Sequence, residues 1–212
     1  MKNGFTLAGA THVVIPKKIG HVGFTLAEVL ITLGIIGVVA AMTMPTLIQN
    51  HRKKVVETKL RKFFTTINQV VKMAEVDNGP AKDWEWNTPQ DMYDKYLKQY
   101  MQNVKEIKQD GSSSLYLYFT DGTYIVYAGT YMRFVTDNKE RNDGTNSFVF
   151  MFDPKGKISK NYVEKGVFAN YAYFTNITEE SLYDECKTSG WYCSLLIQRN
   201  GWHIPKNYPR KL

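Results

Sequence analysis

Residues 23–48 read GFTLAEVLITLGIIGVVAAMTMPTLI. Apart from Glu28 and a few threonines the stretch is apolar throughout. A helix rises 1.5 Å per residue, so roughly 20 such residues cross the hydrocarbon core of a bilayer. A secretory signal peptide has a shorter apolar run, about 7–15 residues, with its small-residue cleavage site after it. Here the distinctive residues, Gly23-Phe24-Thr25-Leu26-Ala27-Glu28, stand in front of the run. Glu28 is the residue that needs a reason. A carboxylate near the start of a membrane helix costs a few kcal/mol unless it is paired or stays wet at the interface. On a helix otherwise suited to lipid, a partner could come from a neighbouring copy, whose positive N-terminus would suit it.

Downstream of this run the pattern turns amphipathic. Val56, Leu60, Phe63, Ile67, Val70 and Ala74 recur at intervals of three and four, with Lys, Arg, Thr, Asn and Gln between them. Asn78-Gly79-Pro80 supplies turn chemistry and a missing N–H, which end the helix. The spacing therefore predicts one helix from Phe24 to about Val76, ~80 Å long. Its first half, 24–48, is bare; its second half, 49–78, lays one stripe on a globular head formed by 79–212.

Within that head, residues 89–108 are predicted as a helix with Met92, Tyr96, Tyr100 and Val104 on one face. Then the period shifts to two. Leu115–Phe119 and Tyr124–Tyr127 flank Thr120-Asp121-Gly122-Thr123, a hairpin with an Asp-Gly turn. Ser147–Phe152 reads as a further strand, and Leu195–Ile197 as another that His203 and Ile204 continue. A long helix leading into antiparallel strands is an α+β order.

Composition sets wider bounds. The chain has 212 residues, 43% of them hydrophobic, and a net charge of +7. That suits one folded domain with a true core and excludes a disordered chain. Without residues 1–23 the charge falls to about +4, which does not call for nucleic acid. The two cysteines, Cys186 and Cys193, have no histidine near them before His203. A zinc site wants about four ligands in recognisable spacing, which is missing. The pair reads either as a disulfide closing a short loop, implying an oxidising compartment, or as two unpaired thiols.

Gly23-Phe24-Thr25-Leu26-Ala27-Glu28 resembles the processing site of type IV prepilins and type II secretion pseudopilins. The resemblance implies a prepilin peptidase that cuts between Gly23 and Phe24, removes 1–23 as a leader and methylates the new amino terminus of Phe24. Glu28 is then the fifth residue of the mature chain, where that family carries its glutamate. Pro45 falls where the family often carries a helix-kinking proline. Gly34 and Gly37 fall where family helices loosen during assembly. The stretch Cys186–Pro209, with Asn200-Gly201-Trp202 and Tyr208-Pro209, is also similar to the ends of pseudopilin-like proteins. The implied fold is pilin-like α+β, a long N-terminal helix packed on an antiparallel sheet head. The implied partners are the peptidase, other pilin or pseudopilin subunits, an inner-membrane platform protein and an assembly ATPase. The implied location is the inner membrane, crossed once with the head outside, and then a periplasmic or extracellular filament. Gly4-Phe5-Thr6-Leu7-Ala8 repeats the motif but has Gly9 in the glutamate's place, and the run after it, residues 9–21, is too short and broken to span a membrane.

Topology carries a conflict. The flank after the apolar run, with Arg52, Lys53, Lys54, Lys59, Arg61 and Lys62, is more basic than the flank before it. The positive-inside rule would place the second flank in the cytoplasm. The resemblance and the cysteine pair place it outside, which is the expectation adopted.

No enzyme signature is present: no Gly-x-Ser-x-Gly, no phosphate-binding glycine loop, no His-Glu-x-x-His. No catalytic residue, cofactor or metal is therefore expected. The loop Asp137–Gly144 is rich in oxygen ligands, but its spacing is not that of an EF-hand, and Lys139 and Arg141 oppose a cation. The strand tyrosines, among them Tyr116, Tyr118, Tyr124, Tyr127 and Tyr131, could stack on single-stranded nucleic acid, but they read first as packing against a sheet. Two functions remain: a filament subunit, or a single-pass anchored head that binds a ligand or surface and never polymerises.

Overall fold

The computed structural model describes residues 23–111, 113–137, 145–155, 167–171 and 177–212. The chain divides into two compact units, Met1–Met44 and Pro45–Leu212.

Helix α1 runs Leu26–Asn78, so the apolar and amphipathic patterns belong to one element. From Gly23 to Arg52 every residue is exposed except Ala40, which is half-buried. From Val56 the helix buries one stripe: Val56, Leu60, Phe63, Ile67, Val70, Val71 and Ala74. Gly79 takes the left-handed conformation, φ 78°, that ends helices without a Cβ penalty, and Pro80 blocks any continuation. The reversal is then fastened by Ala81 N–H donating to Glu75 Oε1 (2.9 Å) and Trp84 Nε1–H donating to the Gly79 carbonyl (2.9 Å).

The second unit is built on a six-stranded antiparallel sheet with strands in chain order: β1 Val104–Asp110, β2 Ser114–Phe119, β3 Tyr124–Ala128, β4 Tyr131–Val135, β5 Ser147–Phe152, β6 Phe168–Asn170. One face carries Leu115, Leu117, Ile125, Tyr127, Met132, Phe134, Phe148, Phe150, Phe152 and Phe168, which share one core with the α1 stripe. Phe63 centres this contact. Its ring stacks on Phe134 at 4.1 Å and meets the rings of Phe150 and Phe168 edge-on at 5.2 and 5.6 Å. The class is α+β.

The Asp-Gly hairpin forms where the turn chemistry predicts it. Gly122 has φ 79°, and Asp121 accepts from the N–H (3.0 Å) and hydroxyl (2.6 Å) of Thr123. Ser147–Phe152 is a strand as expected. Two expectations fail. The helix predicted over 89–108 is short: α2, Pro89–Met92, passes into a π turn, Tyr93–Leu97, and Val104–Asp110 is strand. Asn103 in the left-handed region (φ 67°) breaks the helix, and its carbonyl accepts from Thr120 N–H (3.1 Å), which starts pairing with β2. As an edge strand, β1 keeps Lys105, Glu106, Lys108 and Asp110 exposed, which discourages further pairing. Leu195–Ile197 is helix rather than strand: α3, Glu179–Thr188, and α4, Cys193–Arg199, pack together. Three apolar residues in a row suit a buried helix as well as a strand, and the disulfide between the two helices decides it. Nor do His203 and Ile204 extend a strand; Ile204 N–H donates to Glu57 Oε1 on α1 (2.7 Å). The Ser194 hydroxyl donates to the Val149 carbonyl (2.7 Å), which occupies an acceptor on β5. Strands β4 and β6 and helix α3 have no counterpart in the sequence reading.

Tyr127 is the one strand tyrosine buried within this core, 1% exposed, its ring edge-on to Phe152 at 5.5 Å. Its hydroxyl has no hydrogen-bond partner among the described residues, and burial pushes the phenol well above its ordinary pKa. A buried donor without a partner costs free energy, so Tyr127→Phe should be neutral or stabilise the fold by about 1 kcal/mol. Urea unfolding of the two proteins side by side measures this; a clear loss of stability in the variant would mean that the hydroxyl has a partner.

Candidate functional site

Gly23, Phe24 and Thr25 precede α1 and have no regular structure, and Phe24 is 86% exposed. Gly23 and Phe24 are therefore exposed and outside regular structure on the described chain. Thr25 is the N-cap. Its backbone N–H donates to Glu28 Oε2 (2.8 Å), its hydroxyl donates to the same oxygen (2.9 Å), and Glu28 N–H donates to the Thr25 hydroxyl oxygen (3.2 Å). This is a capping box, in which residues three apart satisfy each other's orphan donors. The Thr-x-x-Glu spacing is its signal in the sequence, one that weighing Glu28 only as a charge in an apolar run misses. Glu28 thus has a partner inside its own chain.

Beyond Glu28 the next acid in the chain is Glu57. Val29–Ile48 carries no charge and is 20 residues long, hence about 30 Å, the thickness of a bilayer core. This helix is long and apolar enough to cross a membrane, and no part of its most apolar window is buried in the chain. That separates it from the core helix of a soluble protein, which would be covered. Glu28 sits one residue outside this span.

Gly34 and Gly37 lie inside it. A Cβ built at either meets nothing within 4 Å. A glycine inside a helix costs up to about 1 kcal/mol relative to alanine. Nothing in the described chain repays that cost, so any steric need for small residues here lies outside the chain. Pro45 is within the helix. Having no N–H, it cannot bond to the Ala41 carbonyl.

Cys186 and Cys193, in the second unit, are joined as a disulfide, Cα–Cα 4.7 Å, and both are fully buried. Arg210 Nε–H donates to the Cys186 carbonyl (3.0 Å), which ties the C-terminal segment to the same place. Closing so short a loop should contribute about 2.5 kcal/mol to stability. Reduction, or Cys186→Ser with Cys193→Ser, is therefore expected to lower the melting temperature by several degrees. Equal melting curves with and without reductant would show the bond to be dispensable.

The other candidates lie apart. Among the described residues no cluster of three or more His, Cys, Asp or Glu side chains could hold a metal ion. Asp137 is described, but the rest of the Asp137–Gly144 loop lies outside the described residues. Tyr118 and Tyr124 stack on each other at 5.0 Å, with the Lys108 ammonium 5.1 Å from the Tyr118 ring. Tyr131 meets Tyr171 and Trp191 at 5.7 and 5.4 Å. These rings have protein neighbours, as packing residues do.

A family model matches residues 46–212. The chain belongs to DUF6613, a family of unknown function. The DUF6613 match begins within one residue of the second compact unit, at Pro45. It covers the head and the buried half of α1 and leaves out Gly23–Glu28, so it bears on the second unit and not on that segment. No curated protein and no solved structure matches the chain.

Proposed function

We propose that this protein is a filament subunit of the type IV pilin or pseudopilin kind, processed by a prepilin peptidase and assembled through its N-terminal helix. One observation carries the reading. A single helix is exposed over its apolar half save the half-buried Ala40 and buried on one stripe over its other half, and the only acid in the bare half is the fifth residue after the Gly23-Phe24 junction. A simple anchor needs the apolar half but neither the acid nor glycines at 34 and 37. A filament core uses all three: apolar helices exchange lipid for one another, small residues allow close approach, and a charge fixes register. In this proposal the platform protein and the ATPase lift each processed subunit out of the inner membrane. The head and its disulfide then face an oxidising compartment.

The capping box favours a second reading, an anchored head that does not polymerise, because it gives Glu28 a role without any neighbour. Shearing of intact cells separates the two. A polymer releases full-size subunit into the medium, and an anchor stays with the membrane.

The first reading is tested by the intact mass of the membrane-extracted protein, made with and without an active prepilin peptidase. Expected is the loss of residues 1–23 together with the gain of one methyl group. A full-length mass in the presence of peptidase would sink the proposal and leave the anchored head.

A further inference from the structure

The described surface has one dense run of positive charge that the fold does not use. Arg52, Lys53 and Lys54 are consecutive on α1, directly before the helix meets its core at Val56. Arg52 and Lys54 are exposed and Lys53 is half-buried. Among the described residues none of the three side chains has an ion-pair or hydrogen-bond partner. The first acid beyond them, Glu57, is taken by the Ile204 N–H at 2.7 Å, with His203 Nδ1 3.3 Å away. Lys59, one turn on, donates to the Thr136 carbonyl (2.7 Å) and is not part of the run. At roughly 100° per residue the three consecutive side chains spread over about 200° of the helix circumference, a broad basic arc, here called a collar, and not a stripe toward one partner.

Its height along the helix is set by the sequence. The uncharged span ends at Ile48, and Arg52 to Lys54 come four to six residues later, a rise of about 6–9 Å. The polar layer on each side of a bilayer core is about 5–8 Å deep. If Val29–Ile48 fills the core, the three cations stand at the level of the phosphates.

We infer that Arg52, Lys53 and Lys54 form a binding collar for anionic phospholipid headgroups, which holds the subunit at a fixed depth in the membrane. The occupant is an anionic lipid surface, because charge, height and the spread of the three cations round the helix agree on a planar layer of phosphates. The inference needs only that Val29–Ile48 spans a membrane; it holds whether or not the protein polymerises, so peptidase processing and lipid selection can fail separately. Each cation near an anionic surface is worth about fivefold in affinity.

The test is native mass spectrometry of the full chain extracted in detergent and offered equal amounts of dioleoyl phosphatidylglycerol and dioleoyl phosphatidylcholine. Expected is a several-fold excess of bound phosphatidylglycerol, which falls to parity in the triple variant Arg52→Gln, Lys53→Gln, Lys54→Gln. A control variant, Lys105→Gln with Lys108→Gln on the exposed edge strand, should keep the preference. Lack of any preference in the parent chain overturns the inference. So does a preference that survives the triple variant, or one that the control variant also loses, since net charge alone would then explain it. Displacement of the lipid by millimolar inorganic phosphate would reduce the collar to a simple anion site. Charge-dependent self-association without lipid, abolished by the triple variant, would assign the collar to a second copy of the chain.

Discussion

Glu28→Leu is expected to leave cleavage after Gly23 intact and to lower the sheared, filament-borne fraction of the protein by about tenfold or more. The magnitude comes from what the substitution removes. In the proposed filament the Glu28 carboxylate faces the free amine of Phe24 on a neighbour, away from water. Losing one member of such a pair strands the other, at a cost of about 3–5 kcal/mol, and each 1.4 kcal/mol is tenfold. The capping box makes a sharper control available. Glutamine at this position still accepts from the Thr25 N–H and hydroxyl, so Glu28→Gln keeps the cap and loses only the charge. If the charge sets register, Glu28→Gln assembles as poorly as Glu28→Leu. If the cap alone matters, Glu28→Gln assembles normally while Glu28→Leu does not, and the register argument is lost. Quantitative blotting of sheared and cell-bound fractions, with intact mass to verify cleavage, reads both outcomes.

Phe150→Ala is expected to destabilise the head by about 3–5 kcal/mol, enough to unfold a marginal domain near body temperature. Phe150 is fully buried on β5. It meets Phe63 and Phe64 on α1 at 5.2 and 6.2 Å and Phe168 on β6 at 5.2 Å, so both elements lose contact with β5 when the ring is removed. Removing it leaves a cavity that the sheet cannot collapse, because β5 is flanked by β4 and β6 and every one of its residues is buried. Val76→Ala, at an 83% exposed position of the same helix, should change little. Thermal unfolding of the detergent-solubilised proteins, monitored by near-ultraviolet circular dichroism, compares them. A melting curve for Phe150→Ala that overlays the parent would mean that the α1–sheet contact is not the core of the head.

Elements set by neighbouring residues were legible in the sequence. Val56, Leu60, Phe63, Ile67 and Ala74 repeat over enough turns to identify the buried stripe, and every one is buried. Asn78-Gly79-Pro80 ends α1 at Asn78 because left-handed φ and a missing N–H are properties of those residues themselves. Asp121-Gly122 makes its hairpin for the same kind of reason. Where a pattern allows two periods, the reading failed. Met92, Tyr96, Tyr100 and Val104 fit a helix face, yet Val104 begins a strand once Asn103 turns left-handed and β2 lies alongside to accept it. The site divides in the same way. Glu28 stands out because a charge in an apolar run is conspicuous, whereas its partnership with Thr25 depended on recognising a cap.

By itself, then, the sequence determined the bare helix, the residue that interrupts it, the buried stripe beyond and the α+β class, since all of these depend on local periodicity and backbone chemistry. Only the tertiary structure decided the strand identity of Val104–Asp110, the helical state of Cys193–Arg199 and the tie between Glu57 and Ile204. Each of these rests on a partner distant in the chain: β2 for the first, the disulfide and Val149 for the second, the C-terminal turn for the third. A short apolar run satisfies a helix and a strand almost equally, and the difference is supplied by whichever backbone or side chain the rest of the fold brings against it.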